Sequence, residues 1–276
     1  VERMLRGPWR GGGRRNVYGD LNDLTLRIVA EALFGASDLS GPEGRALTGA
    51  IEAAFRYFGE RAGGLPLPED LPTPQNAQFA SAVRQLDGAV YALIARRRAD
   101  RAAQPAPPPR GERDLLDIVL ESAVADEEGM SDVALRDELM TLLVAGQETS
   151  AILLAWALNF LAQSPGAMAA LAAEADAVLG SRWAPSSEDY FQGRLPYAEA
   201  VVLEAMRLAP PAYMVGRCAQ RDAEVAGYAL DEGTTVLISP YLLHRDPRHW
   251  GTDAREFRPE RWLEGEPPMA RDALKG

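Results

Sequence analysis

The residues best placed to do chemistry lie in Ala145-Gly146-Gln147-Glu148-Thr149-Ser150, inside a proline-free run from Ser131 to Ser164. Glycine in a helix interior costs about 1 kcal/mol relative to alanine, so Gly146 should gain something from its missing side chain. Ala145 and Gly146 are small enough to let a flat ligand lie against the helix. Thr149, four residues after Ala145, projects on the same face. A threonine hydroxyl beside the Glu148 carboxylate could relay protons to that ligand. The plainer alternative is a loosened core helix with Glu148 paired to an arginine elsewhere. A second group is Glu204 and Arg207, three apart on one helix face. On a surface such a pair contributes only about 0.2–0.5 kcal/mol; buried, it needs further partners to offset desolvation. Arg261, between Phe257 and Trp262, is the candidate third member. The single cysteine, Cys218, reads as a half-buried thiol, and His244 and His249 as loop and packing residues.

The elements that must position these residues follow from punctuation and spacing. Apolar residues from Leu21 to Leu33 predict a helix stopped at Gly35. Two more helices are expected over Pro42 to Gly63 and Asn76 to Arg101, separated by a Pro/Gly-rich stretch up to Pro68. The segment Gln104 to Gly111, with four prolines, reads as a connection. A short helix from Asp114 to Val124 and an acidic turn at Asp126 to Gly129 precede the long helix, which Ser131 can cap. Thirty-odd residues at 1.5 Å each make a rod of about 50 Å. Its apolar stretch Leu139 to Ala162 is long enough to span a membrane, but Gln147, Glu148, Thr149 and Ser150 at its centre argue against that. Ser164-Pro165 starts the next helix and Gly180 closes it; Pro196 opens another that Pro210-Pro211 ends. From Glu224 the period changes. Glu224 to Leu230, the turn Asp231-Glu232-Gly233, and Thr234 to Ser239 predict a two-stranded hairpin. The stretch His244 to Trp262 reads as ordered coil.

The 276 residues, 47% apolar and 25% charged, exclude a disordered chain. With 29 basic and 40 acidic residues the net charge is -11. That argues against non-specific nucleic-acid or anionic-membrane binding. One cysteine excludes an intrachain disulfide, and two histidines leave too few ligands for an all-protein Cys/His zinc site.

Taken together, Ala-Gly-Gln-Glu-Thr on a long helix, then Glu204-Ala-Met-Arg207, then Phe257-Arg-Pro-Glu-Arg-Trp262 resemble the cytochrome P-450 family of haem-thiolate monooxygenases. Leu33-Phe34-Gly35, Gly227-Tyr228, Gly233-Thr234-Thr235 and Ser239-Pro240 through Asp246-Pro247 add to the likeness in the expected order, over essentially the whole chain. The resemblance implies a mainly α fold with a small β hairpin or sheet, and haem b as cofactor. It places Ala145 and Gly146 at the oxygen-binding groove, Thr149 in hydrogen-bond reach of the bound dioxygen, and Glu148 in proton delivery. Glu204, Arg207 and Arg261 become a buried structural network. Arg217 falls where the family holds a haem propionate, and Ala212, Tyr213, Met214 and Val215 where it lines the substrate pocket. A hydrophobic small-molecule substrate and an electron-transfer partner, a ferredoxin or flavodoxin with its reductase, follow by the same implication.

The family's glycine-rich haem loop, Phe-x-x-Gly-x-Arg-x-Cys-x-Gly, is not among the residues, nor are its early strands. That loop carries the axial thiolate that favours O–O cleavage. The expectation is therefore the central part of a single cytochrome P-450 domain, residues 1–276, cut at both ends, cytoplasmic and inactive alone. The alternative is a non-catalytic helical pseudoenzyme or degenerate fragment that binds no haem. Members that rearrange peroxides are a third possibility, disfavoured by Glu148 and Thr149.

Overall fold

The computed structural model describes residues 1–11, 13–35, 42–63, 68, 70–103, 113–125 and 130–263. The proline-rich connection Gln104 to Gly111, the turn Asp126 to Gly129, and most of the Pro/Gly-rich stretch before Pro68 lie outside the described residues. The described elements are mostly helical: α1 (Glu2–Arg6), α2 (Val17–Phe34), α3 (Pro42–Gly63), α4 (Pro74–Ala103), α5 (Leu115–Ala125), α6 (Asp132–Gln163), α7 (Pro165–Leu179), α8 (Ser187–Phe191), α9 (Pro196–Leu208), α10 (Pro240–Leu243) and α11 (Pro247–Trp250). Strands β1 (Val215–Cys218), β2 (Ala223–Val225), β3 (Tyr228–Leu230) and β4 (Thr235–Ile238) precede α10, and a 3-10 turn, Pro259–Trp262, follows α11. The chain divides into two compact units, Asn16–Ala151 and Val1–Arg15 with Ile152–Gly276.

In the first unit, α2 is capped by Asn16, whose Oδ1 accepts from the Gly19 amide at 3.1 Å. It ends at Gly35, held at φ 60° in the left-handed region that a glycine enters without strain. Ser131 caps α6 by accepting from the Ala134 amide. Along α6 the residues four apart, Leu135, Leu139, Leu143, Gln147 and Ala151, are all buried. This row follows from the helical period. The three leucines join Leu26, Ala30 and Leu33 of α2 and Leu86, Val90 and Ile94 of α4 in one apolar cluster. Arg97 lies near the end of α4, yet it serves other elements: it bonds the Phe34 carbonyl at 2.8 Å and both oxygens of Asp114 at 2.7 and 2.6 Å. It thus ties the end of α2 to the start of α5. By length and composition alone, α6 is apolar enough to cross a membrane.

In the second unit, Pro165 and Pro196 occupy first turns, where a missing N–H costs nothing. Glu174 on α7 accepts from the Tyr197 and Ala198 amides at 2.7 and 2.9 Å, so the start of α9 is satisfied by a neighbouring helix. Between α7 and α9 lies α8, built on a capping box between Ser186 and Asp189.

The strand pairing differs from the expected hairpin. β3 pairs antiparallel with β2, Val225 opposite Tyr228, so the tight turn is Ala226-Gly227, with φ of 52° and 83°. β4 pairs instead with β1, Val215 opposite Ile238 and Cys218 opposite Thr235. Asp231-Glu232-Gly233 is a crossing point between the two ribbons. The Gly233 amide bonds the Ala219 carbonyl at 2.8 Å, and the Glu232 amide bonds Asp222 at 2.9 Å. Two left-handed residues in succession match the twist of a two-residue hairpin, and Gly227 lets the chain take it although Ala226 is not a usual turn residue.

Candidate functional site

The sequence-selected residues fall in both units, and each group is built locally. On α6, Thr149 Oγ1 donates to the Ala145 carbonyl at 2.6 Å, and both residues are exposed. Donating backwards to the helix leaves the hydroxyl lone pairs available as acceptors. Gly146 is turned elsewhere. A Cβ on it would meet Val29 Cγ2 of α2 at 3.0 Å, so its small size serves the approach of α2 to α6 and not the exposed face. The next residue explains that approach. Gln147 is fully buried and donates to Asn22 Oδ1 on α2 at 2.5 Å, and Asn22 in turn donates to Glu52 on α3 at 3.1 Å.

Glu148 is half-buried and, among the described residues, pairs with no arginine. It accepts from the Tyr18 hydroxyl at 3.3 Å, and its other oxygen, Oε2, is buried without a hydrogen bond. Burial raises its pKa above the usual carboxylate range; the Tyr18 bond opposes that shift, and the nearby Glu52 charge adds to it. The same surroundings push Tyr18 up to about 12. A carboxyl that holds its proton to higher pH than usual, with one oxygen unpaired, is suited to giving that proton away. Tyr18, Asn22 and Glu52 were not selected from the sequence. Only Asn22 carried a signal, a polar residue within the apolar stripe of α2.

In the other unit the structure brings Glu204, Arg207 and Arg261 together, all buried. Arg207 meets Glu204 with Nε to Oε2 and Nη2 to Oε1, both at 2.8 Å. Arg261 Nε and the Arg258 amide reach Oε1, each at 2.9 Å, and Trp262 Nε1 reaches Oε2 at 2.9 Å. The remaining Arg207 donors close on the carbonyls of His244, Ala254 and Glu256. Its guanidinium also lies 4.9 Å from the Trp250 ring centroid. Five donors on one carboxylate outweigh its desolvation and hold Glu204 below the usual glutamate range. The indole of Trp262 and the row of carbonyls are additions that spacing alone does not reveal. Carbonyls of the His244 to Trp262 stretch end on Arg207, which is why that stretch is ordered.

Arg217 is exposed on β1; among the described residues its guanidinium bonds only the adjacent Gly216 carbonyl, through Nη1 at 2.9 Å, and is otherwise open to an anion. Ala212, Tyr213 and Met214 are exposed, and Val215 is half-buried where β1 begins. Cys218 is exposed and not half-buried as expected. β1 and β4 make a two-stranded ribbon, and among the described residues the thiol hydrogen-bonds the Ala219 carbonyl at 3.8 Å. His244 is half-buried and kept neutral, chiefly by burial.

These features define a class: a mainly helical protein with a protonatable acid and an alcohol on the open face of its longest helix, and a coil locked onto one buried glutamate by two arginines. The model of the cytochrome P-450 family matches residues 9–272, and the chain belongs to that family. It is 36% identical to cyclooctatin synthase of Streptomyces melanosporofaciens over 97% of this chain and 56% of the relative. It is 31% identical to pentalenene oxygenase of Streptomyces avermitilis over 92% of this chain and 54% of the relative. It is 30% identical to cyclooctat-9-en-7-ol 5-monooxygenase of Streptomyces melanosporofaciens over 95% of this chain and 54% of the relative. The chain spans about half the length of the curated relatives it matches.

Taken unit by unit, the described residues offer groups of the kind that border a haem, and no suitable axial thiolate. Arg217 offers a free guanidinium of the kind a propionate takes, and Ala145 and Thr149 offer an open helix face. The one cysteine thiol in the chain sits on an exposed two-stranded ribbon, and among the described residues no backbone amide reaches its sulfur as a thiolate ligand requires.

Proposed function

We propose that these residues are the oxygen-side and structural portion of a haem-dependent monooxygenase that inserts one atom of dioxygen into a hydrophobic organic substrate. Haem b, when bound in the complete protein, would supply oxygen activation. The chain's own part is to hold and move protons. Glu148 holds one to higher pH than usual beside Tyr18, and the Thr149 hydroxyl, whose own proton goes back to the Ala145 carbonyl, offers its lone pairs to accept. Arg217 holds a propionate, Ala145 borders the cofactor, and Gly146 sets the depth of the groove by letting α6 sink toward α2. Ala212, Tyr213, Met214 and Val215 line the substrate side. A ferredoxin or flavodoxin with its reductase delivers electrons. Two of the relatives are named for pentalenene and cyclooctat-9-en-7-ol, which supports a cyclic, largely apolar substrate.

The observation that carries the reading is Glu148: a half-buried carboxyl with one unpaired oxygen and a raised pKa, one residue from an exposed threonine on a family-typical helix. The test supplies the complete protein with haem, a reducing partner and isotopically labelled dioxygen, over a panel of cyclic hydrocarbons that includes pentalenene. One labelled oxygen in the organic product and one in water is the expected result. Product oxygen drawn from solvent, or oxidation without incorporation, overturns it.

A further inference from the structure

The strongly acidic chain has one pocket where the charge balance is reversed. A cavity of about 480 Å³ opens among the residues between Tyr241 and Arg255, all within the second unit. Arg245, Arg248 and Arg255 line it against a single carboxylate, Asp246, a surplus of two positive charges. Asp246 is already spent. Its oxygens accept from Arg248 Nε at 3.0 and 2.9 Å and from the Arg248 amide at 2.9 Å, so this pair neutralises itself. The nearby Asp253 is likewise committed, to Arg258 and Arg261.

Arg245 and Arg255 are left over. Among the described residues neither is paired with a carboxylate. Arg245 is half-buried and held in place by Tyr241, with its guanidinium 3.8 Å from the ring centroid and Nη1 on the Tyr241 carbonyl at 3.3 Å. Burial lowers its pKa, and repulsion from Arg207 and Arg255 lowers it further. Arg207 is fully occupied by Glu204 and backbone carbonyls, which leaves Arg255 as the like charge that shares the pocket. Two guanidinium groups held near each other without a counter-charge form an unbalanced arrangement, and an anion bridging them restores the balance. Tyr241 and Leu242 supply an apolar wall beside the cationic one.

We propose that this cavity binds a multivalent oxyanion of the phosphate class, either free phosphate or a small phosphate ester, gripped by Arg245 and Arg255 with the Arg248–Asp246 pair at its rim. The site is independent of the oxygen chemistry assigned to α6. Its test is calorimetric titration of the 276-residue chain with inorganic phosphate, ionic strength being held constant with chloride, and phenyl phosphate in a parallel arm. Saturable one-site binding is expected. Arg255→Gln and Arg245→Gln should each weaken it on the order of ten-fold or more. Arg84→Gln, which removes an exposed arginine from the other unit, should leave it unchanged. Tighter binding of phenyl phosphate assigns the cavity to an ester, and equal binding assigns it to free phosphate. Arg255 is exposed and outside the buried network, so its variant reports on binding even if Arg245→Gln unfolds the segment. The absence of saturable heat, undiminished binding by Arg255→Gln, or equal weakening by Arg84→Gln overturns the assignment.

Discussion

Arg207→Ala destabilises the unit containing α9 by about 3–5 kcal/mol, the cost of stranding a buried charge. The substitution removes two of the five donors on Glu204 and, at the same time, the partners of three backbone carbonyls. With total stabilities of about 5–15 kcal/mol, a loss of that size leaves little folded protein, and urea unfolding followed through tryptophan fluorescence reads it directly. A loss below about 1 kcal/mol, the range of an exposed pair, would contradict the burial of the network. The pH dependence has a definite sign. Glu204 binds its proton less readily when folded than when unfolded. Its contribution is therefore complete above the ordinary glutamate pKa and is lost as the pH falls through the lowered folded value. Arg207→Ala flattens that acid limb, because little of the lowered value survives without Arg207.

The second large effect concerns Glu148. In the complete protein, Glu148→Gln slows substrate oxidation by about 10²–10⁴-fold, the range for losing a positioned proton donor. The same substitution has a readout that needs no cofactor. The folded pKa of Glu148 lies above the unfolded one, so its favourable contribution is present at low pH and disappears as the pH rises through the folded value. The glutamine variant lacks this decline and is the more stable protein on the alkaline side of that window. Denaturation midpoints across the window check the sign. A wild-type chain that gains stability there relative to the variant would show an ionised, well-partnered Glu148 and remove the reason for assigning it a proton.

Much of the scaffold was legible because helix boundaries are local chemistry. Gly35, Pro165, Gly180 and Pro196 stop or start helices by what they forbid, and the four-residue row from Leu135 to Gln147 shows which side of α6 is buried. The Glu204–Arg207 spacing was readable for the same reason. What escaped depends on partners distant in sequence. Nothing near Glu148 indicates that its neighbour is Tyr18 and not an arginine. The pairing of β1 with β4 was hidden because Asp231-Glu232-Gly233 is as good a turn by composition as Ala226-Gly227, and only the Val215–Ile238 register decides between them. The spacing around Gly146 suggests the approach of a flat ligand, whereas the group that comes against it is Val29 of α2. Trp262 looked like one more apolar residue until its indole N–H reached Glu204.

The central claim is that this chain carries the oxygen-side and structural parts of a cytochrome P-450 while its own cysteine is not the axial ligand. The direct measurement is the carbon-monoxide difference spectrum of the reduced, haem-supplemented chain, alone and fused to a cysteine-bearing haem loop of the family pattern Phe-x-x-Gly-x-Arg-x-Cys-x-Gly. No thiolate-type band is expected from the 276 residues alone, and its appearance is expected in the fusion. A thiolate-type band from the chain alone that disappears in Cys218→Ser would contradict it.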